Sequence, residues 1–146
     1  MRTVHRSMRA KGWDTTTTGP LAESIARLER SALAFAAARD KALSAELPKA
    51  TRERANRSLL AVERAFARPT GLKGRAWYRS LIYASDVDNG YSTMSFPGVN
   101  EAVRAGDLAT TTSELADLTA RFGVAADAVD EAARALQAAP SAPARR

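Results

Sequence analysis

Three stretches of this chain repeat apolar residues at alternating steps of three and four, and that rhythm restricts the fold to packed helices. In the first, Leu21, Ile25, Leu28, Ala32 and Phe35 share one helical face, with Glu23, Arg27, Glu29, Arg30, Arg39 and Asp40 on the polar side. Pro20 opens this segment and Pro48 ends it at the latest, because a proline ring suits the first turn of a helix and breaks its interior. The second starts near Lys49 or Thr51 and carries Ala55, Leu59, Val62 and Phe66. Arg68-Pro69 stops it, since the residue before a proline is driven away from helical angles. In the third, Leu115, Leu118, Phe122, Ala125, Val129, Ala133 and Leu136 keep the spacing across Gly123, which predicts one long helix. Thr111 and Glu114 match a capping box at its start. A shorter helix is expected over Val99 to Arg104, capped by Ser95 and stopped at Gly106.

Between residues 69 and 98 the helical rhythm is lost. Pro69, Gly71, Gly74, Gly90, Pro97 and Gly98 mix with Trp77, Tyr78, Tyr83, Tyr91 and Phe96, and Asp88-Asn89-Gly90 signals a turn. So many aromatic anchors predict an ordered loop rather than a flexible linker. Trp77, Tyr78, Tyr83 and Phe96 either pack this loop on its own helices or reach a neighbouring domain or subunit. Tyr91, beside Asn89-Gly90, is the candidate for an outward polar contact, with a hydroxyl able to donate to a carboxylate. The expected fold class is all-α, an antiparallel four-helix-type bundle with a long ordered aromatic loop.

The two ends read differently. Residues 1–19 show no helical stripe, and the first 13 contain no acid. They are expected to be a leader or linker without fixed structure, and the apolar centre of a secretory signal is missing. Residues 139–146 are expected to be a disordered tail, which leaves a domain over residues 20–138.

Composition narrows the chemistry. The chain has no cysteine, which excludes disulfides, thiolate metal sites, iron–sulfur clusters and cysteine nucleophiles. Its one histidine, His5, cannot furnish a zinc site of two or three imidazoles or a Ser-His-Asp set in the structured part. Asp86 and Asp88 lack the further oxygen ligands of a calcium loop, and Gly71-Leu-Lys-Gly74 lacks the strand and spacing of a phosphate loop. Asp127 and Asp130 lie on a polar helix face as solvated charges. No catalytic or metal-binding residue is assigned, no cofactor is expected, and the chain alone is not expected to be an enzyme. No apolar run approaches the ~20 residues of a membrane span. The formal net charge of +6 permits a nucleic-acid partner without arguing for one, because acids and bases interleave almost in balance between residues 20 and 139.

One run of motifs is specific. Leu60-Ala-Val-Glu63-Arg64-Ala65-Phe66, Pro69-Thr-Gly71-Leu72, Tyr78-Arg79-Ser-Leu-Ile82-Tyr83-Ala84, Asn89-Gly90-Tyr91 and Ser95-Phe96-Pro97-Gly98 follow one another in order at uneven spacing. Together they resemble the transferrin receptor-like dimerisation domain, the C-terminal helical domain of zinc peptidases of the glutamate carboxypeptidase and N-acetylated-alpha-linked acidic dipeptidase type. With its flanking helices the resemblance covers about residues 20–138. It implies a helical bundle that builds much of a homodimer interface. It also implies two zinc ions and a catalytic carboxylate in a protease domain, none of which this stretch carries. In such peptidases an Asn-Lys-Tyr loop of this domain meets the carboxylates of a C-terminal glutamate. The matching residues here are Asn89, Gly90 and Tyr91. Tyr91 is kept, whereas Gly90 stands in place of the lysine, which implies broader specificity. A homodimer and the peptidase domain of the parent enzyme are thus the expected partners. The alternatives are a standalone helical interaction module and, less favoured, a basic nucleic-acid binder using residues 1–13 and the terminal arginines.

Overall fold

The computed structural model describes residues 2–44 and 46–138, so the expected tail over residues 139–146 lies outside the described residues. The chain forms α1 (Arg2–Ala10), a 3-10 turn (Thr16–Thr18), α2 (Gly19–Leu43), α3 (Lys49–Ala65), β1 (Tyr83–Ser85), β2 (Thr93–Ser95), α4 (Pro97–Ala105) and α5 (Leu108–Gln137). The protein is therefore mostly helical, but it is not all-α. β1 and β2 pair antiparallel with Tyr83 opposite Ser95 and Ser85 opposite Thr93, within the stretch expected as a loop.

α5 is the organising element. All seven apolar residues of its expected stripe are buried, and the helix runs unbroken through Gly123. Ala125-Ala126, Ala132-Ala133 and Ala135-Leu136 are buried as neighbouring pairs, so the buried sector is wider than a single stripe. A helix buried over that width receives partners on two sides, and both α2 and α3 pack on it. Their directions follow from the contacts. Arg27 meets Asp127 at 2.5 Å, while Ala38 clusters with Ala133 and Leu136, so α2 runs parallel to α5. Arg54 meets Glu131 at 2.5 Å and Phe66 meets Phe122 with ring centroids 4.8 Å apart, so α3 runs antiparallel to α5. In place of the expected antiparallel four-helix bundle, three long helices pack with α5 shared between α2 and α3, and the short α4 also packs on α5.

Apolar packing is divided in two. The larger cluster joins Val4, Met8, Leu21, Leu72, Leu81, Val99, Val103, Leu115, Leu118 and Phe122 among others, with Trp13, Tyr78 and Phe96 partly buried against it. The smaller is Ala38, Ala55, Ala133, Ala135 and Leu136, flanked by Phe35, Ala42 and Leu47.

Several local expectations are corrected. The N-terminal segment is not structureless: Val4 and Met8 of α1 are buried, and α1 packs on α4. Only two inward apolar residues on nine make too short a stripe to see in the sequence. Along α2, Ser31 is buried and Ala32 exposed, so the inward face after Leu28 takes position 31 in place of the expected 32. The cap of α5 is Asp107, whose carboxylate accepts the Thr110 backbone N–H at 2.9 Å, and the Thr111–Glu114 box is not formed. Hydrogen bonds from Thr110, with Lys73 beside it, hold the Asp107 carboxyl down at about 2. Ser95 does not cap α4. The N-cap position is Phe96, held at φ 48°, a left-handed backbone that L side chains rarely adopt.

Candidate functional site

The Ser-Phe-Pro-Gly motif joins the two halves of the site. Phe96 donates its N–H to the Ile82 carbonyl at 2.8 Å, and Asn100 donates its side-chain amide to the Ser95 carbonyl at 2.6 Å. Pro97 is buried at the first turn of α4. Gly98 is required by close approach, since a Cβ there would lie 2.2 Å from the Glu114 carboxylate. Glu114 in turn receives Arg68 through both carboxylate oxygens, at 2.9 and 2.7 Å. Arg68 also donates to Asp117 at 3.1 and 2.7 Å, and Arg121 donates to the other Asp117 oxygen at 3.0 Å and to the Ala65 carbonyl at 2.9 Å. Glu114 and Asp117 raise the Arg68 guanidinium well above its ordinary value against the opposing effect of burial. Burial works to raise Asp117, and the two arginines outweigh it, leaving its carboxyl below the usual range. This network ties the end of α3 to the first half of α5.

From that base the β1–β2 hairpin carries the loop that contains Asn89, Gly90 and Tyr91. The turn closes on itself: Ser92 donates its N–H to the Asn89 carbonyl at 3.0 Å, Tyr91 its N–H to Asn89 Oδ1 at 3.2 Å, and Asp86 its N–H to the Ser92 carbonyl at 2.8 Å. Arg104, in the last turn of α4, grips it from outside. Its guanidinium meets both Asp86 oxygens at 2.8 and 2.6 Å and Asp88 at 2.9 Å. The Arg104 hydrogen bonds, helped by the Asp88 backbone N–H, hold the Asp86 carboxyl far below the ordinary carboxylate range. On the inner side Arg75 donates to the Ser85 carbonyl at 2.9 Å, pairs with Glu101 and stacks over the Tyr78 ring at 4.7 Å. Two arginines thus join one hairpin to one helix.

The aromatic residues separate into two groups. Tyr78 and Phe96 pack on the larger core. Trp77 is 74% exposed, Tyr83 63% and Tyr91 fully exposed, so these three face away from their own fold. Gly90 has open space around it, and nothing lies within 4 Å of a Cβ built there. The hairpin brings Asn89, Gly90 and Tyr91 together at one tip, and Tyr83 stands at the base of the same hairpin on β1. Sequence reasoning missed the roles of Arg68, Arg75, Glu101, Arg104 and Glu114, because their partners lie 10 to 49 residues away and no local spacing marks them.

The zinc ions implied by the resemblance find no fitting ligand set in this chain: among the described residues no three His, Asp or Glu side chains converge to hold a metal ion. No helix among the described residues is long and apolar enough to cross a membrane.

Comparison with known proteins accounts for the motif run. A probable glutamate carboxypeptidase of Zea mays is 37% identical over 62 residues, which is 42% of this chain and 9% of that protein. One of Arthroderma benhamiae is 43% identical over 44 residues, 30% of this chain and 6% of that protein. One of Arabidopsis thaliana is 42% identical over 48 residues, 33% of this chain and 7% of that protein. The chain thus matches less than a tenth of the length of these curated relatives. The family description of the transferrin receptor-like dimerisation domain matches residues 16–139, most of the chain but not α1. This chain belongs to the transferrin receptor-like dimerisation domain family.

Proposed function

We propose that this chain acts as the non-catalytic homodimerisation domain of a glutamate carboxypeptidase-like zinc metallopeptidase, and that in the assembled enzyme it lends the Asn89-Gly90-Tyr91 tip to the substrate pocket. The observation that carries the loop role is the held presentation of Tyr91. A fully exposed tyrosine sits on a turn that Arg104 fastens to α4 through Asp86 and Asp88. A fastened loop loses little conformational freedom when it meets a ligand, so its hydroxyl is in position to donate to a peptide carboxylate. Gly90 supplies no cation to an acidic side chain, and a peptidase of broader specificity fits this tip better than one restricted to glutamate. The two zinc ions and the catalytic groups belong, on this reading, to the peptidase domain.

The experiment has two arms. Peptide hydrolysis is assayed with the purified chain alone, with and without a chelator, and none is expected. Chelator-sensitive hydrolysis by the chain alone overturns the non-catalytic role. Where the chain is assembled with the peptidase domain, Tyr91→Phe is expected to lower kcat/KM roughly tenfold, the size of one lost hydrogen bond to a charged group. An unchanged kcat/KM overturns the pocket role.

A standalone helical interaction module is the second reading. It draws on Leu33 and Leu43, each 68% exposed on α2, which leave apolar surface for a partner without any peptidase.

A further inference from the structure

Most of the excess positive charge of this protein lies in its first eleven residues. Arg2, Arg6, Arg9 and Lys11 carry four of the six excess positive charges, and Arg145 and Arg146 carry the other two. Residues 12–144 hold sixteen bases and sixteen acids. In that balanced part eight arginines form ion pairs, at Arg27, Arg39, Arg54, Arg68, Arg75, Arg104, Arg121 and Arg134. None of Arg2, Arg6 and Arg9 does so among the described residues.

Their placement is fixed by packing. Val4 and Met8 are 2% and 1% exposed in the larger core, which locks the rotation of α1 and turns the arginines outward. Positions three and four apart lie side by side on a helix, so Arg2, His5, Arg6 and Arg9 form one face. They line a shallow concavity of about 400 Å³. His5 is held as part of its wall. Its Nε2 lies 2.6 Å from the Thr18 hydroxyl, whose hydrogen is already given to the Thr15 carbonyl at 2.8 Å, so Nε2 is the donor. Thr18 is itself 2% exposed. Guanidinium groups three and four apart on a helix without acids between them repel one another, and an anion bound between them removes that repulsion. Planar guanidinium forks suit the paired oxygens of a phosphoryl group better than a single point charge does.

We propose that the outer face of α1 is a binding site for a phosphoryl oxoanion, held by Arg2, Arg6 and Arg9. The apolar residues Val4 and Met8 are occupied in the core, so the face binds by charge and hydrogen bonding and not by insertion into a bilayer.

The probes are inorganic triphosphate and vesicles containing phosphatidic acid, each titrated into the isotopically labelled full chain and followed by amide shifts. Saturable shifts confined to Arg2–Lys11 are expected, with binding roughly tenfold weaker in Arg6→Gln/Arg9→Gln and weaker again at higher salt. The control is Arg52→Gln/Arg57→Gln, which removes the same charge from an exposed face of α3 and is expected to leave binding unchanged. A response to triphosphate assigns the site to a soluble phosphate ester or polyphosphate. A response to vesicles alone assigns it to a lipid headgroup. Absence of saturable shifts with both probes overturns the proposal. Equal weakening in the α3 control also overturns it, since binding then reflects net charge. Circular dichroism of each variant confirms that the helices are retained.

Discussion

The two ends of α5 are built from different materials. Its first half buries Leu115, Leu118 and Phe122 against α1, α2, α4 and the loop segment. Its second half buries mainly alanines against α2 and α3. A buried leucine or phenylalanine contributes about 1.5–3 kcal/mol and an alanine methyl roughly 0.8. The hydrophobic stabilisation is therefore concentrated at the end that carries the hairpin. At the alanine end the helices are held additionally by surface ion pairs, Arg54–Glu131 and Arg27–Asp127, with arginine side chains 60% and 43% exposed. Pairs of that exposure contribute about 0–1 kcal/mol each. The same end leaves Leu33 and Leu43 uncovered. The difference teaches where the stabilisation sits: one end fixes the loop by bulky packing, and the other is held by small side chains and exposed ion pairs.

The largest test is a pair of truncations. Leu118→Ala is expected to cost about 4 kcal/mol and Leu136→Ala about 2, because Leu118 is enclosed by bulky neighbours and Leu136 lies among alanines in the last turn of α5. Equal costs in urea denaturation would erase the distinction between the ends.

Next is the network that anchors the loop end. Arg68→Met leaves Glu114, with its side chain 11% exposed, and Asp117 without that partner, and is expected to cost about 3 kcal/mol. Gly98→Ala forces a Cβ into the Glu114 carboxylate and is expected to destabilise through the same ion pair. If Gly98→Ala in the Arg68→Met background costs as much as it does in the natural chain, the two act independently.

Acid should act on the loop before the core. Asp86 and Asp107 have carboxyls lowered by folding, so each adds stability that is full above the ordinary carboxylate value of 3.8 and is lost as pH falls through the folded value. For Asp107 that window runs from 3.8 down to about 2. Amide shifts of the first turn of α5 should move in this window and those of residues 86–92 only at lower pH, with α5 residues 115–122 still protected from hydrogen exchange. Simultaneous loss of all three would contradict the separation of loop from core. The smallest effect is expected for Arg54→Ala, under about 1 kcal/mol in the same denaturation assay, as suits an exposed pair.

Much of this architecture was legible because long helices leave long periodic traces. The α5 stripe and the run through Gly123 needed only spacing, and proline chemistry set outer limits at Pro48 and Pro69, although α2 already ends at Leu43 and α3 at Ala65. What was not legible depended on tertiary partners. α1 is helical because it docks on α4, and strands of three residues are too short to show alternation. Glu114 matches a capping box in spacing yet serves Arg68, a partner 46 residues away. At the candidate site, the exposure of Tyr91 followed from the Asn-Gly beside it, whereas the Arg104 clamp joins residues 16 and 18 apart on different elements. Trp77 and Tyr83 turned out exposed while Tyr78 and Phe96 are packed, a division that aromatic content alone does not reveal.

Self-association is the central claim, and the absolute mass of the purified chain by light scattering after size exclusion tests it most directly. The account predicts a discrete species at twice the chain mass of 15.6 kDa, shifted toward monomer by Leu33→Lys on the alanine end. A stable monomer at every concentration, unaffected by that substitution, would contradict it.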